Sequence, residues 1–463
     1  MSSYRYGSGF PIQPTIPGRR DTPHMERIYL PQLLPLEEYD KIIVLFSGGK
    51  DSLACILDLL ERGVPQEKIS LWHHDIDGGH PTRKMDWPVT QNYVRAVAEY
   101  LGMPLRTSWR VNGFWGEVYR LGASWPVQYT EPDTGEILEC RQTAKQIRST
   151  QLREAILGDL EQAELEQMGR RMKFPAKSGS LATRWCSSIL KIMVADSVIR
   201  GLDMEKVKKL EALGHCCHFP LKGSIASGRF CSPTLKREVG DSLIRDLDFL
   251  KANGCRMKLP AKSSCQQGRW CSGSLKAEVE NKLHTEIEEM SQGVKLLVVS
   301  GERRQESPGR SKYNEMEIHR ANATARAHRL VHQWRSVIDW DEAQVWEIIK
   351  RWQITPHPCY AAGWNRCSCA MCIFSLPRHW AGIRELFPDW VRAVEEDERI
   401  LGFTLDRKKT LAEYIGDAKS CVCHDDPKAI AQLISGAFSL ADVETKAWKL
   451  PAGAFHGAEG GPC

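Results

Sequence analysis

Between Lys41 and Trp109 the chain alternates between two hydrophobic rhythms. Ile42-Ile43-Val44-Leu45-Phe46 is an unbroken apolar run, the pattern of a strand covered on both faces. From about residue 51 to 62 the apolar positions recur at helical spacing, which predicts an amphipathic helix. A second strand follows near Ile69 to His74, a second helix over about 88–101, and a third strand from Pro104 to Trp109. Short strands alternating with helices of ten or more residues predict a parallel sheet and an α/β fold. Val294 to Ser300 repeats the buried-strand run, and Asp341 is placed as the N-cap of a helix with apolar positions at helical spacing. Beyond residue 375 the pattern is helical and mixed in charge, ending in a glycine-rich tail.

Between about 165 and 290 the chain repeats itself three times. Phe174-Pro175-Ala176-Lys177 leads to Arg184-Trp185-Cys186 and on to Leu190-Lys191. Phe219-Pro220-Leu221-Lys222 leads to Arg229-Phe230-Cys231 and Leu235-Lys236. Leu259-Pro260-Ala261-Lys262 leads to Arg269-Trp270-Cys271 and Leu275-Lys276. The period points to tandem duplication of one helical module inserted between sheet elements. Each copy sets two lysines, an arginine, an aromatic ring and a thiol at fixed offsets. Cations gather phosphate or sulfate oxygens, a ring stacks on a base, and nearby positive charge lowers a thiol pKa. A core ring among solvated cations reads the same residues equally well.

At 463 residues, the chain is long enough for two or three domains with real cores, and 42% hydrophobic content suits a globular protein. No apolar run approaches the ~18 to 20 residues of a membrane helix, and the N-terminus lacks a secretory pattern, so the expected compartment is the cytoplasm, with no membrane partner. Sixteen cysteines are few for a disulfide scaffold and many for an ordinary cytosolic enzyme, which points to metal or sulfur chemistry. A net charge of +5 permits a nucleic-acid partner without requiring one.

The first strand runs into Ser47-Gly48-Gly49-Lys50-Asp51-Ser52, where the helical rhythm begins. Adjacent glycines allow successive N–H groups to turn toward one anion at the positive end of a helix. Two serine hydroxyls and Lys50 add donors. Asp51 repels phosphate unless it holds a metal ion or orients a donor, so a metal-bound nucleotide is indicated. The spacing fits neither the P-loop nor the dinucleotide fingerprint. It resembles the PP-loop of the ATP pyrophosphatase and phosphoadenylylsulfate (PAPS) reductase superfamily. That resemblance implies an adenine nucleotide alpha hydrolase-like, HUP-type doubly wound parallel sheet, with Ser47 to Ser52 binding ATP or PAPS with Mg²⁺. On the same edge, Asp75 and Asp77 are candidates for ribose, adenine or metal contacts.

The strand ending at Ser300 delivers Gly301-Glu302-Arg303-Arg304-Gln305-Glu306-Ser307, similar to a second motif of the same family. Two arginines there can clamp polyphosphate, with Glu306 orienting one; Arg310 is a further candidate. The repeat resembles a segment that family members ordinarily carry once, which leaves Cys186, Cys231 and Cys271 as alternatives for its thiol; Cys186 and Cys271 are the catalytic candidates beside Lys50, Asp51, Arg303 and Arg304.

Four cysteines between Cys359 and Cys372, including Cys369-x-x-Cys372, form a strong ligand signal. Zinc, an iron–sulfur cluster and a redox dithiol all remain open on spacing alone. The pattern around Cys369 and Cys372 resembles that of PAPS-reductase-like proteins, among them the sulfur-activating subunit of DNA phosphorothioation systems, which implies an iron–sulfur cluster with structural Zn²⁺ as the alternative. The remaining ligands are Cys359 and Cys367 or, alternatively, thiols from the repeats.

The expected organisation is an irregular extension over 1–38, a nucleotide-binding domain over 39–335 carrying the repeats, and a helical cysteine-bearing region over 336–463. The expected activity is adenylylation with pyrophosphate release, coupled to sulfur transfer onto an acceptor such as DNA or RNA, with a cysteine desulfurase or other sulfur donor. The alternatives are thiol-dependent reduction of PAPS or adenylylsulfate, for which Cys463 is terminal but poorly set, and a binding module without turnover.

Overall fold

The computed structural model describes residues 4–6, 10–12, 31–79, 83–154, 159–178, 180–201, 294–324 and 329–455. The second and third repeat copies, Cys271 and Cys463 lie outside the described residues. The chain divides into two compact units, residues 1–18 with 203–293, and residues 19–202 with 294–463. Of the first, the described part is an antiparallel pair of β1 (Tyr4–Tyr6) and β2 (Phe10–Ile12).

The second unit is built on an eight-stranded sheet. Its strands are β3 (Lys41–Leu45), β4 (Ile69–Asp75), β5 (Leu105–Arg110), β6 (Val127–Thr130), β7 (Ile137–Glu139), β8 (Val294–Val299), β9 (Met316–Ile318) and β10 (Arg329–Trp334), in the order β7-β6-β5-β4-β3-β8-β10-β9. The five central strands are parallel, while β6, β7 and β9 pair antiparallel at the two edges. The parallel core is the one the apolar runs predict. The edge strands are three or four residues long, too short to carry a periodic signal.

Helix α1 (Lys50–Glu61) follows β3, and α2 (Thr90–Tyr100) follows β4. With the helix Glu342–Arg351, they bury one face of the sheet around Val44, Phe46, Leu53, Tyr93, Val345 and Trp346. Asp341 caps that last helix, its side chain accepting from Gln344 N–H at 2.8 Å. The opposite face, with Ile43, Trp72, Leu296 and Val298, packs on Val194, Val198 and Ile199 of the helical stretch 193–201. Burial on both faces is why β3 and β8 read as continuous apolar runs.

The chain proceeds from β3 outward through β4 and β5, then returns to the other side of β3 with β8 and β10. The order therefore reverses between β3 and β8, which are in register through Ile43 with Val298 and Val44 with Val299. Loops leaving adjacent strands at such a reversal diverge and open a crevice at their carboxyl ends. Ser47–Ser52 and Gly301–Ser307 are those two loops. The carboxyl-terminal region is helical, with helices Pro377–Leu386, Pro388–Leu401, Leu411–Ile415 and Pro427–Ser435. Among the described residues no helix is long and apolar enough to cross a membrane.

Candidate functional site

Gly48 adopts φ +82°, a left-handed conformation that glycine takes without steric cost. It lets the chain leave β3 and turn directly into α1, whose N-cap is Gly49. The loop's polar groups satisfy one another. Ser47 N–H donates to Ser52 Oγ at 3.3 Å, Gly49 N–H to Ser47 Oγ at 3.4 Å, and Ser52 Oγ donates to the Gly49 carbonyl at 2.9 Å. Lys50 N–H donates to the Tyr360 hydroxyl at 3.0 Å. Hydroxyl oxygens thus occupy acceptor positions at the start of a helix, where phosphate oxygens are favoured.

The second loop locks onto the first. Arg303 Nε donates to Asp51 Oδ1 at 2.5 Å, and Arg303 is 3% exposed. Its Nη1 donates to Gln305 Oε1 at 2.7 Å, while Glu306 Oε2 accepts from Arg303 N–H at 2.9 Å. Burial would raise the Asp51 pKa, but Lys50, Arg303 and Arg366 outweigh it and hold the carboxyl below its usual value. Asp51 Oδ2 lies 3.6 Å from Lys50 Nζ, so both of its oxygens face cations and the residue fits the donor-orienting role. Gly301 packs against the loop backbone: a Cβ there would lie 2.7 Å from Asp51 C and Ser52 N.

The remaining candidates separate. Lys50 is buried at 5% exposure, its ammonium 3.4 Å from the Asn365 carbonyl and 3.8 Å from Glu342, beneath the rings of Trp346 and Tyr360. That is a held charge. Arg304 pairs with Asp339 and donates to the Tyr313 carbonyl at 3.1 Å, so its partners lie outside the Ser47–Ser52 loop. Arg310 pairs with Glu306, as does Arg366 at 3.9 Å. Ser307 Oγ accepts from Arg310 N–H at 3.3 Å. Asp75 is spent on its own turn, accepting from Asp77 N–H and Gly79 N–H at 2.8 and 3.0 Å. Asp77 accepts from Met85 N–H at 2.6 Å, and burial with Asp75 and Asp86 nearby pushes its pKa up to about 8.

Beneath the Ser47–Ser52 loop lies a thiol-rich pocket. The ligand atoms of His357, Cys359 and Cys367 all lie within 4.8 Å of one another, a set that can hold a metal ion. The Cys359 thiol bonds to Cys367 and, with His357 and Lys191, holds the Cys367 thiol well below its usual pKa against the effect of burial. Burial and that bond raise Cys359 in turn. Cys369 and Cys372 form a tight turn, Cys372 N–H donating to the Cys369 carbonyl at 3.1 Å, and belong to a second group with Cys186 and Lys191. Cys369 raises the Lys191 pKa, Asp86, Cys372 and Cys186 add to it, and burial opposes. Of the four cysteines expected as ligands, Cys359 and Cys367 gather among the described residues with a histidine that the cysteine spacing did not reveal.

The first repeat copy builds this pocket's wall. Trp185 is buried and stacked on Phe114 at 5.3 Å, with the Arg171 guanidinium over its ring at 4.5 Å. Ser188–Ile192 forms a π-helical turn, a widening common at functional positions, and it carries Lys191. Burial, with Cys372 adding, pushes the Cys186 thiol up to about 11. Lys177 pairs with Asp406 at 3.2 Å and lies over the Tyr414 ring at 3.8 Å. The cations of this copy are thus engaged by the chain itself.

Two further residues enter the site without a sequence signal strong enough to single them out. His73 is buried at 3% exposure, its Nδ1 3.0 Å from the Phe46 carbonyl and its Nε2 without a protein partner among the described residues. Asp86 is raised to about 6 by burial, with Cys367 adding and Lys191 opposing.

Residues 256–374 match the phosphoadenosine phosphosulfate reductase domain. The family match takes in the third repeat copy, β8, the Gly301–Ser307 loop and all four cysteines from Cys359 to Cys372. The Ser47–Ser52 loop precedes it, and the sheet joins the two. An uncharacterized 37.8 kDa protein of Escherichia phage 186, encoded in the gpa 5′ region, is 29% identical over 106 residues, covering 23% of this chain and 30% of that protein. The chain thus aligns with less than a third of that relative. No solved structure matches the chain.

Proposed function

We propose that this phosphoadenosine phosphosulfate reductase-family protein is an ATP pyrophosphatase-type enzyme that adenylylates an acceptor and passes sulfur to it. The observation that carries the reading is the joint between the two loops: Arg303 on Asp51 at 2.5 Å, with Gly301 against the Asp51–Ser52 backbone. Two segments some 250 residues apart in sequence form one anion-binding crevice at the strand-order reversal.

In this reading the N–H groups at the start of α1 and the Ser47 and Ser52 hydroxyls take the phosphates, displacing the internal acceptors they now use. Arg303 and Lys50 balance the charge that develops as an acceptor oxygen attacks the α-phosphorus and the pyrophosphate bond breaks. Magnesium would enter on the phosphate oxygens, since it retains waters and binds few protein carboxylates. A sulfur nucleophile then displaces AMP from the adenylylated acceptor. The adjacency of the thiol pocket to the loop supports sulfur chemistry at this place: Cys367 Cβ lies 3.4 Å from where a Gly49 Cβ would be. A DNA or RNA acceptor rests on the basic repeats of the sequence, and the first copy's cations do not add to it.

Purified protein incubated separately with ATP–Mg²⁺ and with PAPS tests the assignment. Pyrophosphate and AMP from ATP, in the presence of acceptor, support it. Sulfite from PAPS with reduced thiol instead makes the protein a reductase. Nucleotide binding without either product makes it a binding module, and failure to bind either nucleotide overturns the assignment of the loop.

A further inference from the structure

We infer that His357, Cys359 and Cys367 form a mononuclear, zinc-type metal centre whose loading braces the phosphate loop. Two thiolates and an imidazole are a ligand set suited to a tetrahedral ion. Bonds of about 2.0–2.3 Å at tetrahedral angles hold ligand atoms roughly 3.5 Å apart. The triad's atoms already fall within 4.8 Å of one another, so a small contraction closes the site. His357 Nε2 lies 3.3 Å from Thr90 Oγ1, while Nδ1 accepts only a long 3.3 Å bond from Cys359 N–H. A hydroxyl on one ring nitrogen orients the other toward an ion, as is usual for ligating histidines. His357 and Cys359 are buried, and Cys367 is partly exposed, so the fourth position opens on the Cys367 side.

The gathered set differs from a four-thiolate cluster. Cys369 and Cys372 are not among the residues whose ligand atoms gather within 4.8 Å.

The triad lies against two consecutive loop glycines, and a residue adjoining it holds the next loop residue. His357 Cδ2 lies 3.6 Å from a Cβ placed on Gly48, Cys367 Cβ 3.4 Å from one placed on Gly49, and Tyr360, next to Cys359, accepts the Lys50 N–H. An ion joining residues 357, 359 and 367 fixes the floor on which the loop rests. This second part depends on the nucleotide reading above; the metal centre itself does not.

The test uses the full chain, purified anaerobically, with zinc, iron and acid-labile sulfide measured per chain and Co²⁺ exchanged in for thiolate-to-cobalt absorption. One zinc or cobalt per chain is expected, lost in Cys367→Ser and retained in Cys369→Ser. Thr90→Val keeps every ligand and should weaken cobalt affinity about 10–100-fold, with melting by circular dichroism confirming the fold. Iron with sulfide that survives Cys367→Ser and disappears in Cys369→Ser, or no tightly held metal in the wild type, overturns the centre. In the second arm, ATP affinity is measured by calorimetry on loaded and chelator-stripped protein. Loss of about 5- to 150-fold on stripping supports the bracing, and unchanged affinity overturns it. Loaded protein that binds no ATP refutes the nucleotide reading while leaving the metal result standing.

Discussion

Gly301→Ala inserts a single methyl between the two loops of the crevice. The new Cβ would lie 2.7 Å from Asp51 C, 2.7 Å from Ser52 N and 2.8 Å from Asp51 O. Carbon contacts are comfortable at about 3.5 Å or more, so the loops must part by roughly 0.8 Å. The obstructing atoms are backbone at the start of α1, which cannot rotate aside. Overpacking of this kind costs about 1–3 kcal/mol of stability. The same displacement stretches the Arg303–Asp51 contact and misplaces the phosphate site, and a misplacement near 1 Å lowers catalysis by about 10²-fold. Urea denaturation gives the first quantity, and calorimetric ATP titration with pyrophosphate release gives the second. A Gly301→Ala protein of wild-type stability and nucleotide affinity would refute the contact between the loops and with it the shared crevice.

Arg303→Met leaves the partly buried Asp51 carboxylate facing only Lys50 and Arg366 and should cost about 3–5 kcal/mol; the double variant with Asp51→Asn recovers part of that, and strict additivity in denaturation would show the pair is not coupled. Arg304→Ala, whose partner Asp339 is 69% exposed, should change stability by less than about 0.5 kcal/mol and leave ATP affinity intact. Trp185→Ala removes a buried ring in contact with Phe114 and Arg171 and should cost about 3–5 kcal/mol; a thermal melt within a degree of wild type would mean the first repeat copy is not part of the core. Asp77 has a folded pKa pushed up to about 8 by burial, above the ordinary aspartate value of about 3.9. Its contribution is therefore fully present below about pH 4 and is lost as pH rises through about 8, at up to about 1.4 kcal/mol per unit. Asp77→Asn retains an acceptor for Met85 N–H and should flatten that decline; identical pH profiles of stability for variant and wild type would exclude it.

Elements whose signal is local are legible in the amino-acid pattern alone. The apolar runs at 42–46 and 294–300, the helix from about 51 and the Asp341 cap are set by neighbours along the chain, and each forms within a residue or two of its predicted place. The short edge strands β6, β7 and β9 are not legible in this way, because three or four residues acquire strand geometry only from the partner they pair with. The cysteines of 359–372 stand out as ligands in the pattern, yet the gathering of two of them with His357 does not. Which thiols meet depends on the turns between them and on His357 and Lys191, one of which comes from another part of the chain.

The sequence by itself determined the parallel core and the likeness of residues 256–374 to the phosphoadenosine phosphosulfate reductase domain. Tertiary structure alone decided that Arg303 meets Asp51, that Arg304 pairs with Asp339, and that a His-Cys-Cys triad lies beneath Gly48 and Gly49. Adjacent arginines are equivalent in a pattern but point to different neighbours in a folded loop. The order of strands, which brings β3 beside β8, is fixed by burial summed over the whole sheet and is carried by no single stretch of residues.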